Sequence, residues 1–187
     1  MKKQTLAILC GFILIGLLSG CAVHKTYGPY EGKVVDSETG QPIEGAALHM
    51  VFYTQTGNPG GSSSIYAGDK EVVTDSEGKF NLSQSLWTFR PLHFWGEPPL
   101  VCLFKPGYGT FPRHQQANIA SPKGLEQIPE GQFTTIELPP LKTSKERWEN
   151  LSKVYIGVMD SNKYQSKVYK LKEEEIHIIE EMRGQRN

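Results

Sequence analysis

Five histidines stand at positions 24, 49, 93, 114 and 177, scattered along the chain. His177 and Glu180 are three apart, a spacing that puts both on one helix face and suits a pair of zinc ligands. Zinc needs more ligands than two, so the pair reads as ordinary neighbours on a charged helix. Asp36 and Glu38 in VVDSETG are echoed by Asp75 and Glu77 in VVTDSEG. If those turns met, four carboxylates would offer calcium an oxygen shell. The same residues build turns without a metal, because Asp accepts backbone N–H groups and Gly enters positive φ. No Gly-rich phosphate loop and no Gly-x-Ser-x-Gly elbow occurs. No nucleophile–base pair is legible, so no catalytic residue, metal ligand or cofactor is nominated; an enzyme here would need a site assembled in space. Cys102 lies in the apolar run PLVCLFKP, the setting of a buried inert thiol. The stretch best suited to recognition is LWTFRPLHFWGEPP, residues 86–99. Trp87, Phe89, Phe94 and Trp95, with Arg90 and His93 between them, are the candidate partner-binding residues. Aromatic side chains on a loop make a stacking platform for a sugar or an anchor for a protein. Alternatively the loop folds back and seals an end of the core.

These residues need a scaffold, and the chain of 187 residues is long enough for one domain with an appendage. GKVVD, AALHMVFY, KEVVTD, KFNL, LVCLF, YGTF and QFTTIEL are short apolar or β-branched runs separated by turn formers. That is about seven strands, the pattern of an antiparallel β-sandwich. LVCLF is the most continuous run and reads as a central strand. SEGK reads as a tight hairpin between its flanking strands. Residues 54–64, rich in Gly, Pro, Asn and Ser, and residues 112–131 read as surface loops. After Pro139-Pro140 the period changes. Thr143-Ser144-Lys145-Glu146 has the form of a capping box. Trp148, Leu151, Tyr155, Val158 and Met159 follow helical spacing. After a break at DSNK, so do Tyr164, Val168, Leu171, Ile178 and Met182, with Glu175 interrupting the stripe. The expectation is a mainly β fold with a C-terminal pair of amphipathic helices. Their apolar faces would bury on the sandwich, on each other or on a partner.

The start of the chain is of another kind. Met1-Lys2-Lys3 precedes LAILCGFILIGLL, 13 residues almost wholly apolar. A membrane-spanning helix needs about 20, so a basic start and a short apolar core describe a secretory leader. Leu18-Ser19-Gly20-Cys21 then resembles the bacterial lipobox. The resemblance implies cleavage before Cys21, a diacylglycerol on its sulfur and a further acyl chain on its new amino group. Two or more acyl chains give stable anchoring where one gives marginal binding. Ala22, rather than Asp, follows Cys21, which by the same resemblance favours the outer membrane of a Gram-negative bacterium. Removing residues 1–20 takes away two lysines and no acids, leaving 18 basic and 20 acidic residues and a net charge of −2. A near-neutral chain argues against a nucleic-acid partner.

GKVVDSETGQPIEGAAL, VVTDSEGKFNL and LFKPGY, in that order, resemble the carboxypeptidase regulatory-like domain, a transthyretin-like β-sandwich. The resemblance covers about half of the chain after Cys21. It implies a scaffold and no particular activity, since such sandwiches host many roles. Related pilin-type sandwiches join their first and last strands through a Lys–Asn bond. Lys33 is placed for that, but QFTTIEL has no Asn. The expected organisation is a leader over 1–20, a tether over 21–31, the sandwich over 32–141 and a helical extension over 142–187. The expected function is a lipid-anchored cell-envelope protein, a non-enzymatic binding or structural module. It would meet the membrane through Cys21 and an envelope protein or glycan through its aromatic stretch. The competing expectations are an enzyme acting on envelope polymer or peptide, and a calcium-binding module.

Overall fold

In the computed structural model every residue from 46 to 52 is buried, which a strand achieves only when both faces of its sheet are covered. The structure describes residues 21–58, 61–96, 98–120, 127–155 and 166–184, with the backbone alone at Cys21, Ala22 and Asn58. The leader, the break at DSNK, and Val158, Met159 and Tyr164 lie outside these residues.

From Ala47 onward the buried run belongs to β2 (Ala47–Asn58), the centre of one sheet. On one edge it pairs with β3 (Gly61–Val73). On the other it pairs in succession with β5 (Phe94–Trp95) and β6 (Leu100–Phe104). The second sheet runs β4 (Lys79–Pro91), β1 (Cys21–Asp36), β8 (Phe133–Leu138), β7 (Asn118–Ala120). All pairings are antiparallel except β1 with β8, which is parallel. The described residues thus form eight strands in a β-sandwich with one mixed sheet; six of the seven expected are present, β5 and β7 are additional, and YGTF is reduced to isolated bridges at Tyr108 and Phe111.

Alternation divides β2 between two cores. Leu48, Met50 and Phe52 pack between the sheets with Val34, Phe80, Leu82 and Ile136. On the other face Ala47 joins Cys102 and Phe104 beneath α1 (Ser144–Leu151) and α2 (Lys167–Gly184), which contribute Leu151, Val168 and Ile179. Each large side chain so buried contributes roughly 1.5–3 kcal/mol. The capping box at α1 is formed: Glu146 N–H donates to Thr143 Oγ1 at 3.2 Å, and Thr143 N–H to Glu146 Oε2 at 2.9 Å. Glu71 on β3 caps α2, accepting from the Ser166 hydroxyl and from Lys167 N–H at 2.8 Å. No described helix is long and apolar enough to cross a membrane.

Several expectations are corrected. The residues expected as a tether, 21–31, form the first eleven of the 16 residues of β1, and Tyr27 and Tyr30 among them are core residues. The loop expected over 54–64 extends the β2–β3 hairpin, with Thr54 to Asn58 paired to Ile65 to Gly61. SEGK does not close a hairpin, because β3 and β4 lie in different sheets. Its turn, held by Asp75 Oδ1 accepting from Glu77 and Lys79 N–H, is a corner between the sheets. LVCLF is β6, beside the central strand; among the described residues its outer edge meets the Leu103–Phe111 bridge alone. Glu175 does not interrupt the buried face of α2; it is the most deeply buried acid described. Trp148, expected on the buried stripe, is half-exposed under the Arg183 guanidinium.

Candidate functional site

β4 is an edge strand of its sheet, and its alternation decides what the aromatic stretch can do. Phe80 and Leu82 point into the core, while Ser83, Ser85, Trp87 and Phe89 point out. The large rings toward the end of β4 therefore stand on the solvent face. Trp87 is 74% exposed, Phe89 69%, Leu92 70% and Phe94 62%. Trp87 stacks obliquely on His24 of β1, ring centroids 4.2 Å apart. Monomeric proteins rarely leave several large apolar side chains exposed together without a partner for them.

The six nominated residues divide. Trp87, Phe89 and Phe94 form the exposed surface. Arg90, His93 and Trp95 build the turn beneath it. The Arg90 guanidinium donates to Thr54 Oγ1 at 2.9 Å and to the Tyr66 carbonyl at 3.0 Å, tying β4 to the other sheet. Trp95 is half-buried against the core, edge-on to Tyr27 at 6.2 Å. His93 Nδ1 lies 3.0 Å from the Pro91 carbonyl. The stretch is therefore two strands and a turn, where a loop is the sequence expectation. Leu92 also belongs to the surface, an aliphatic residue that the aromatic pattern does not single out. It sits at φ 61, a left-handed conformation unusual for leucine and not readable from the sequence.

The surface lies at the end where β1 enters the domain. Cys21 is opposite Pro91, Ala22 opposite Arg90 and His24 opposite Trp87. Val23, at the bulge between them, is also exposed.

Other constellations are more enclosed or already satisfied. His49 Nε2 is 3.0 Å from Asp69 Oδ2, and the other Asp69 oxygen accepts the Tyr66 hydroxyl. Tyr66 lines a cavity of about 290 Å³ with Tyr53, Leu100 and Tyr155. His49 is sealed from it, and its Nδ1 meets no partner among the described residues. So the carboxylate that an enzyme site would place beside a histidine is present, but the imidazole has no open side. Opposite His49 on β6 is Cys102, whose thiol burial pushes up to about 11, keeping it protonated. Asp36 Oδ1 accepts from Glu38 and Thr39 N–H, and Asp75 makes the equivalent turn. Glu38 pairs with Lys142 and Glu77 with Lys79. The four acids are thus engaged as turn and surface groups, and the described residues hold no cluster of three metal-ligating side chains. His177 and Glu180 are exposed, 4.0 Å apart. Lys33 stands opposite Thr135 on the parallel strand β8.

No family model, curated protein or solved structure matches the chain.

Proposed function

We propose that the chain is a lipoprotein of the bacterial cell envelope, held in the outer membrane by acyl chains on Cys21. Its sandwich serves as a binding or structural module and not as an enzyme. The observation that carries the reading is Leu18-Ser19-Gly20-Cys21 closing a short apolar leader. Cys21, the residue that cleavage would make the first, lies on β1 opposite Pro91 at the end of the sandwich that carries the exposed rings. The exposed rings beside that residue are the surface through which the module meets what it binds. The sealed state of His49 and the protonated thiol of Cys102 favour a module over an enzyme.

The test is metabolic labelling with a radioactive fatty acid. The expected result is a labelled wild-type chain in the membrane fraction and an unlabelled, full-length precursor for Cys21→Ala. Equal labelling of the two contradicts the reading.

A further inference from the structure

A lipid on Cys21 would have no slack. β1 is paired from Cys21 onward, so no free chain separates the anchor from the sandwich. Pro91 is the partner of Cys21, and Phe89 and Trp87 lie two and four residues back along β4. At the rise of a strand these are about 7 and 13 Å from the anchored end. Leu92 follows Pro91 on the turn that closes the same end, and Phe94 opens β5 just beyond that turn. We propose that this end of the sandwich rests in the headgroup region of the bilayer that holds Cys21, with Trp87, Phe89, Leu92 and Phe94 inserted. The proposal rests on the lipoprotein reading and adds to it an orientation and a partner.

Three features favour a lipid surface. Trp and Phe are the side chains suited to the boundary between headgroups and acyl chains, and interfacial elements settle about 5–10 Å deep there. Leu92 is held at φ 61, where Gly or Asn would sit with less strain. The turn thus presents an apolar side chain at its tip, where a polar or absent one is the easier choice. Finally, a glycan platform combines rings with free polar groups. Here the flanking Arg90 is bound to Thr54 and Tyr66, and His93 Nε2 is enclosed. The exposed part of the stretch is left almost purely apolar.

The experiment uses the lipidated chain, extracted from its membrane and reconstituted in phosphatidylethanolamine–phosphatidylglycerol vesicles with brominated acyl chains. Vesicle flotation and tryptophan fluorescence are read together, for wild type and for Trp87→Phe, an exposed position that tolerates the change. The expected result is flotation of both, blue-shifted emission quenched by bromine in the wild type, and loss of most of that quenching in Trp87→Phe. Flotation with Trp87 unquenched and open to aqueous iodide overturns the docking proposal, leaving the anchor intact and giving the rings to a protein or glycan. Failure to float, with no acyl mass on the chain, overturns the lipoprotein reading itself and this proposal with it.

Discussion

Arg147 on α1 and Glu175 on α2 close on each other through two contacts, Nε to Oε1 and Nη2 to Oε2, both at 2.9 Å. The Glu175 side chain is fully buried and that of Arg147 nearly so. Gly107 N–H adds a hydrogen bond to Oε2 at 3.2 Å, so the pair joins both helices to the turn after β6. Burial pushes the Glu175 carboxyl above its usual range, and Arg147 and the Gly107 amide pull it only part of the way back. Removing one partner of such a pair leaves an uncompensated charge. Arg147→Ala is expected to lose about 3–5 kcal/mol in denaturant unfolding. Because the folded value of Glu175 is raised, its contribution is fully present at low pH and is lost as pH rises through that value. The deficit of Arg147→Ala should therefore be larger at pH 7 than at pH 4. A deficit below about 1 kcal/mol at both would show that the pair does not hold the helices.

Asp36 has the opposite sign. Burial raises its carboxyl, but the N–H groups of Thr39 and Glu38 and the Tyr108 hydroxyl outweigh that and bring it below its ordinary value. Its contribution is present above the ordinary carboxylate range and lost as pH falls through the folded value. Asp36→Asn should be less stable than wild type at pH 7, and the two should converge in acid. Thermal melts across that range check it; a constant gap contradicts it.

Gly32 marks where β1 meets β8. A methyl group built there falls 2.2 Å from the Thr134 carbonyl oxygen and 2.9 Å from Phe80 Cζ. Backbone cannot yield as a flexible side chain does, so Gly32→Ala should destabilise by roughly 3 kcal/mol. Unfolding followed by circular dichroism measures this; a neutral substitution would mean the strands separate easily.

Cys102 should be silent in the folded chain. Its thiol is fully buried and shifted up to about 11 from 9.0. Thiolate is thus on the order of a hundredfold scarcer at neutral pH, before access is considered. Alkylation by iodoacetamide should follow global unfolding in denaturant. Rapid labelling under native conditions contradicts the packing of β6 against the helices.

What the sequence reveals of the fold follows from what each signal reports. The run from Ala46 to Phe52 and the capping box at Thr143 and Glu146 carry their structures locally, and both read correctly. LVCLF misleads because an apolar run reports covered faces, not neighbouring strands. β6 is covered by the opposite sheet and by the helices while lying off-centre. SEGK shows a real turn, yet turn chemistry is silent on which sheet the next strand joins. Residues 22–31 look like a tether because Gly28-Pro29 interrupts them; the structure absorbs the interruption as a register shift and pairs both sides with β4. At the candidate site the residue types were legible. The division into exposed Trp87, Phe89 and Phe94 over structural Arg90, His93 and Trp95 depends on strand alternation that a mixed aromatic run conceals.

If Cys21 is the lipid anchor proposed above, the mature chain starts there as an acylated residue. Mass spectrometry of the N-terminal peptide of the membrane-extracted protein reads this out. The expected result is Cys21 as the first residue, bearing diacylglycerol on sulfur and a third acyl chain on nitrogen. A peptide that retains residues 1–20, or that starts at or near residue 21 with no lipid mass, contradicts it.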